Sequence, residues 1–350
     1  MKTRATELFG IRHPIVQTGM GWVSDARLTA ATSEAGGLGI LAAATLTLPE
    51  LEEAIADIQE ATDRCFGVNL RADREDIDQR LELLIRVGVK VASFARAPGP
   101  EAIARLKEAG LITLPTVGAR RHAEKVEQWG VDALIAQGGE GGGHTGSIPT
   151  SLLLPDVCSA VSIPVLGAGG FRDGRGLVAA LAFGADGIAM GTRFLLTQES
   201  PVPEHVKQRY LATGLTETVR TTAIDGVPQR VIQTESVAGL EAASPLVRLW
   251  RALNNASRFR SITQASPTGL LREALANDST LTPAQLVMAA NAPMLTRASM
   301  VDGNLDVGIL PTGQVVGLIE RLPTVAELID TIMREAEDTL ARIAPEGAHV

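Results

Sequence analysis

A cationic surplus is missing from this 350-residue chain: 32 Lys and Arg stand against 40 Asp and Glu, a formal net charge of −8. Proteins that grip nucleic acid present a basic face to the phosphates, so that class of partner is excluded. Cysteine is also scarce. Cys65 and Cys158 lie far apart, with no CxxC and no metal-ligand spacing. Neither a disulfide framework nor a zinc site is expected, and a reducing cytoplasm fits. No apolar run reaches the roughly 18 residues a membrane helix needs, and the opening MKTRATELFG lacks a signal-peptide core, so no membrane partner is expected. No His/Asp/Glu cluster suggests a metal.

Glycine, by contrast, is abundant: 35 residues, while aromatics make up 3%. So much glycine without low complexity implies tight turns and backbone that approaches something closely, which points to a cofactor. The glycines fall into a grammar. Eight short apolar runs (IVQTGM, GILAAA, FGVNL, VASFA, ITLPTV, ALIAQG, PVLGAG, GIAMGT) recur about every 25 residues, enough for one crossover helix between parallel strands. Five junctions read as amphipathic helix, Gly, then strand: EAGGLGI, RVGVKVA, EAGLITL, QWGVDAL and AFGADGI. Glycine stops a helix because it takes the left-handed conformation without steric cost. Eight such units predict an α/β fold, a (β/α)8 barrel. The rival doubly wound sheet lacks its GxGxxG after the first strand, and no P-loop occurs.

After Phe194 the rhythm breaks. Residues 199–309 show helical stretches at 204–213, 245–259 and 283–291 and one β-like piece around Arg230–Gln233. The strand–helix pattern is expected to return at 311–319, before a last helix over Val325–Ile343. The reading is therefore a barrel of residues 1–195 plus 311–350, with 196–310 a helical insertion after strand eight. An insertion there overhangs the catalytic face of a barrel and forms a lid.

The chemistry of a barrel sits at the C-terminal ends of its strands. Strands seven and eight end in Gly167-Ala168-Gly169-Gly170 and Ala189-Met190-Gly191-Thr192, two short loops whose amides suit a phosphate. Strand six runs into Gln137-Gly138-Gly139-Glu140-Gly141-Gly142-Gly143-His144-Thr145-Gly146, an open stretch ending in a single His. His144 suits acid/base work or polarisation of a carbonyl. Glu140 orients that imidazole or caps the loop. Asn69 and Gln137 are amides that either serve a flavin edge or close loops. Between Ala242 and Arg272 lie five Arg and no acidic residue, densest at Arg258 and Arg260. These form either a solvated helix face or a handle for an anionic substrate.

The pieces HPIVQTGMGWV, EAGGLGIL, FGVNL, QGGEGGGHTG, PVLGAGGFRDGRG, GADGIAMGTRF and GQVVGLI resemble the nitronate monooxygenase (2-nitropropane dioxygenase) family, which includes flavin-type enoyl-thioester reductases. The resemblance spans nearly the whole chain. It implies an FMN-containing (β/α)8 barrel, with cofactor contacts at Gly19, Met20, Asn69, Gln137, Gly142, Gly143, Gly169, Gly170, Ala189, Met190, Gly191 and Thr192. It also implies His144 as the catalytic residue. Within that family, LVMAANAPML and VDGNLDVGIL are similar to a branch of actinobacterial flavoproteins of steroid C/D-ring degradation. Gly141 and Thr145, where nitronate enzymes usually carry Ala and a larger residue, agree with that branch. The resemblance implies a CoA thioester as the small-molecule partner, with Arg258 and Arg260 on its phosphates.

The expectation is an FMN-dependent oxidoreductase moving a hydride and a proton across a C–C bond conjugated to a carbonyl. The alternatives are a nitronate monooxygenase using oxygen and a non-redox phosphate-ligand barrel. A homodimer is one option for its assembly.

Overall fold

The computed structural model describes residues 1–242, 283–306 and 308–344, with only the helical backbone described over 283–291. The strands are β1 (Ile15–Gln17), β2 (Leu38–Ala42), β3 (Phe66–Leu70), β4 (Val91–Phe94), β5 (Ile112–Val117), β6 (Leu134–Gln137), β7 (Gly143–His144), β8 (Val165–Ala168), β9 (Gly187–Met190), β10 (Thr218–Thr221) and β11 (Gln229–Ile232). Helices α1 (Arg4–Phe9), α2 (Ala26–Glu34), α3 (Leu48–Ala61), α4 (Ile77–Val87), α5 (Pro100–Glu108), α6 (Arg120–Gln128), α7 (Thr150–Cys158) and α8 (Gly174–Ala182) belong to the first part of the chain. After β9 come α9 (Thr192–Leu195), α10 (Glu204–Leu211), α11 (Glu235–Ala242), α12 (Pro283–Met300) and α13 (Val325–Ile343).

All eight apolar runs form strands of one closed parallel barrel, ordered β1-β2-β3-β4-β5-β6-β8-β9, with Ile15 opposite Ile188 at the closure. The five junction glycines (Gly36, Gly88, Gly110, Gly130 and Gly184) have φ between 76° and 94°, the left-handed stop their positions called for. Inside, Val16, Leu38, Ile40, Val91, Leu114, Ile135, Leu166, Ala168 and Ala189 fill the barrel. Ala5 and Phe9 of α1 join that cluster and plug the N-terminal end, held by a forked Arg4–Asp186 ion pair at 2.8 Å. The mouth at the other end is left for chemistry.

Helix α13 spans the predicted residues and completes the outer ring. Thr324 and Glu327 form a capping box at its start. It lies so close to α8 that a Cβ on Gly174 would collide with the backbone of Ile332 and Ala336. One expectation is extended and one changes. The β-like piece expected around Arg230–Gln233 is β11, and it belongs to a small sheet: β10 and β11 pair antiparallel, and β11 also pairs with β7, in the order β10-β11-β7. Residues 311–319 return as a bridge from Pro311 to Val231 and a 3-10 turn at Gln314–Leu318, since the barrel has already closed with β9. The helix expected at 245–259, with Arg258 and Arg260, lies outside the described residues. Among the described residues, no helix is long and apolar enough to cross a membrane, and no group of His, Cys, Asp and Glu is placed to hold a metal.

Candidate active site

β8 and β9 are neighbours in register, with Ala168 opposite Ala189, so the loops that follow them lie side by side at the mouth. The chain leaves β8 through Gly169 and Gly170, at φ 97° and 83°. A Cβ on Gly170 would meet nothing nearer than Glu140 Cβ at 3.8 Å, so this loop is open on that side. Among the described residues no protein acceptor takes the amides of Gly169, Gly170 or Thr192. Arg193 follows at once. It is 5% exposed, donates to the Arg321 carbonyl at 3.3 Å, and has no carboxylate partner among the described residues. Burial, with Arg321 and Arg172 nearby, pulls its guanidinium down to about 10, still charged at neutral pH. Free backbone amides on two adjacent loops fit a phosphate.

The other expected contacts gather around the same mouth. A Cβ on Gly19 would overlap the Asn69 side chain, and one on Gly191 would sit 3.3 Å from Met20 Sδ, so the ends of β1, β3 and β9 converge. Asn69 donates to Ser93 Oγ at 3.2 Å. Ala189 and Met190 are buried in strand β9, paired with β1 and β8, and the Met190 carbonyl accepts from the Thr18 amide at 3.2 Å. Gln17, unremarked in the sequence, fastens this region: its buried amide reaches Ser24 Oγ at 2.8 Å, and Ser24 Oγ accepts from the Met20 amide at 2.9 Å. A polar side chain in an otherwise apolar strand was the signal. In the same loop Trp22 stands at φ 65°, a left-handed conformation that bulky residues rarely take, beneath the Arg297 guanidinium of α12 at 5.5 Å.

The glycine-rich stretch does two jobs. Gly138 and Gly142 allow chain-to-chain packing, since a Cβ on Gly142 would come within 2.5 Å of the Thr312 backbone. Gly143, at φ 64°, faces open space. Gln137 uses its amide to donate to the His144 carbonyl at 3.0 Å, fixing β7. Glu140 does not orient the imidazole. It accepts from the Thr150 amide at 2.9 Å and hydroxyl at 2.8 Å, capping the start of α7. The imidazole's partner is Asp225, whose Oδ2 stands 2.7 Å from His144 Nε2. Burial pushes the Asp225 carboxyl up, but the hydrogen bond and charge of His144, with the Val227 amide, hold it below its usual value. Asp225 was missed because it lies 81 residues away, in the β10–β11 turn.

A barrel whose last two loops suit a phosphate, with one histidine at the mouth, can be compared with known proteins. The family model described as nitronate monooxygenase matches residues 2–335. The chain belongs to the nitronate monooxygenase family. This member is an oxidoreductase, and the cofactor it shares with the family is a flavin. It is 55% identical over 341 residues (96% of both chains) to "(3aS,4S,5R,7aS)-5-hydroxy-7a-methyl-1-oxo-octahydro-1H-indene-4-carboxyl-CoA dehydrogenase" of Mycobacterium tuberculosis. A Rhodococcus jostii protein of the same name is 55% identical over 350 residues, 99% of this chain and 98% of that one. Among solved structures, FabK from Thermotoga maritima superposes with a TM-score of 0.82 at 33% identity, covering 98% of each chain.

Proposed function

We propose that this nitronate monooxygenase family member is an FMN-dependent dehydrogenase of a bicyclic, hydroxylated carboxyl-CoA thioester of the kind its relatives are named for. The observation that carries the reading is the 55% identity extending over 99% of the chain, insertion included. FMN is favoured over FAD because, among the described residues, the mouth offers one cradle for one phosphate, at Gly169–Gly170 and Gly191–Thr192. Gly19, Met20, Asn69, Gly142 and Gly143 are proposed to line the space the ring would take, with Gln137 setting the histidine strand and Ala189 and Met190 carrying the chain to the Gly191–Thr192 loop. Bound FMN supplies a hydride acceptor. His144 takes the proton from the carbon beside the carbonyl, and the bond between that carbon and its neighbour becomes a double bond conjugated to the carbonyl. In this reading the described barrel strands hold the cofactor, and the β10–β11 part of the insertion faces the substrate beside His144.

The thioester's phosphates need cations in a chain of net charge −8. Arg258 and Arg260 are proposed for them. Within the described residues, Arg220 and Arg230 stand opposite one another on β10 and β11 and line a cavity of about 320 Å³ with Gly139, Glu140, Ser147 and Gln314; Glu140 lowers the net positive charge there, and Arg230 already donates to the Gly139 carbonyl at 2.9 Å. The test is anaerobic mixing of the oxidised flavoenzyme with the indane-type CoA thioester and, separately, with propionate 3-nitronate. Bleaching of the flavin by the thioester is expected. Bleaching by the nitronate alone would overturn the reading in favour of a nitronate monooxygenase.

A further inference from the structure

Asp225 does not belong to the barrel, yet it is buried and held through both of its carboxylate oxygens. Its side chain is 8% exposed. Oδ1 accepts from the Val227 amide at 3.0 Å, which leaves Oδ2 to face His144 Nε2 at 2.7 Å. The turn around it is tied down in its own right: the Gly226 amide donates to the Thr222 carbonyl at 3.0 Å, and the Thr145 amide donates to the Pro228 carbonyl at 3.1 Å. His144 is fixed from its backbone, paired with Gln229 on β11 and bonded by Gln137. Neither partner depends on the other for its place.

A carboxylate only accepts hydrogen bonds, so the nitrogen that faces it must carry the hydrogen. In a neutral imidazole the lone pair then lies on the other nitrogen. We propose that Asp225 is a positioning residue that commits Nε2–H of His144 to itself, leaving Nδ1 as the nitrogen that exchanges the proton with substrate. The insertion, through the β10–β11 turn, thereby sets the tautomer of the barrel's histidine. The part of the proposal that concerns substrate rests on the role given to His144 above; the tautomer does not.

The fixed Val227 amide makes the test sharp. In Asp225→Asn the amide oxygen is held toward Val227 N–H, so the NH2 group faces His144 Nε2. That nitrogen must now accept, and the hydrogen moves to Nδ1. In histidine-¹⁵N-labelled holoenzyme, the two-bond ¹⁵N–¹H pattern of His144, assigned by its loss in His144→Ala, should report Nε2–H in the wild type. It should report Nδ1–H in Asp225→Asn. With the thioester, Asp225→Asn should lose about 10²–10⁴-fold in kcat with KM little changed and flavin content intact, the pattern of an imidazole in the wrong tautomer. Asp225→Asn added to His144→Ala should cost nothing more. An Nδ1–H tautomer in the wild type overturns the proposal without any variant, as does wild-type kcat in Asp225→Asn. An Nε2–H wild type that never acts on the thioester would sink the proposed function and leave the positioning role standing.

Discussion

Of the described histidines, His144 alone stands at the barrel mouth. His13 precedes β1 at the opposite end, His122 is exposed on α6, and His205 bonds the Gly303 carbonyl from α10. The amides proposed to hold the cofactor's phosphate lie on the loops after β8 and β9, so His144 has no part in that proposed cradle. His144→Ala should therefore keep the wild-type flavin-to-protein ratio and lose about 10²–10⁴-fold in turnover. Stopped-flow flavin reduction beside an absorbance spectrum checks both halves; loss of flavin would make the histidine structural. His144 was legible because a run of glycines delivers it to the expected strand end. Asp225 was not, because an acidic residue in a turn carries no mark of the strand it will face. The same holds for Glu140, where the choice between orienting the imidazole and capping the loop depended on where Thr150 would fold, and the cap it makes is on α7.

At the scale of elements, the turn after β2 shows how the mouth is braced. Arg80 of α4 is wholly buried, donating to the carbonyls of Ala43 and Leu46 at 2.9 and 2.7 Å and to Asp76 at 2.9 Å. Arg74 reaches the same carboxylate at 2.7 Å. The two guanidinium groups hold the Asp76 carboxyl well below the usual carboxylate range. Removing the charge strands a buried cation, so Asp76→Asn should cost about 3–5 kcal/mol in urea unfolding at neutral pH. A depressed carboxyl contributes stability above its unfolded value, near 4, and loses it as pH falls through its folded value. The gap between wild type and Asp76→Asn should thus be full at pH 7 and shrink below about pH 4; a gap that stays constant would refute the assignment. Local grammar made the barrel elements legible, since each helix, stop glycine and strand is written within some 25 residues. Of the β10–β11–β7 sheet only β11 was legible; the pairing escaped because β7 is two residues long and its partner β11 lies far along the chain. Thr218–Thr221 shows no clean alternation of buried and exposed positions.

For the whole molecule, the consequential fact is that β1 closes on β9. The first and last barrel strands are neighbours, so the barrel exists only when both ends of the fold are in place. The proposed cofactor contacts come from the ends of β1, β3, β6, β8 and β9, and a ligand seated there binds the closed barrel and not the unfolded chain. Binding to the native state alone stabilises by RT ln(1 + [L]/Kd), about 2.7 kcal/mol at a hundredfold excess over Kd. In a chain of 350 residues each kcal/mol raises Tm by roughly 1–2 °C, so FMN at that excess should raise the Tm of flavin-stripped protein by about 4 °C. Riboflavin, with the same ring and no phosphate, should give a smaller shift at equal concentration, because the amides of Gly169, Gly170 and Thr192 then gain no anion. FAD should do no better than riboflavin, since its second phosphate and adenosine have no cradle among the described residues. Scanning calorimetry with each flavin in turn decides the matter. Equal shifts from FMN and riboflavin would remove the phosphate role of the two glycine loops, and a larger shift from FAD would replace FMN as the cofactor.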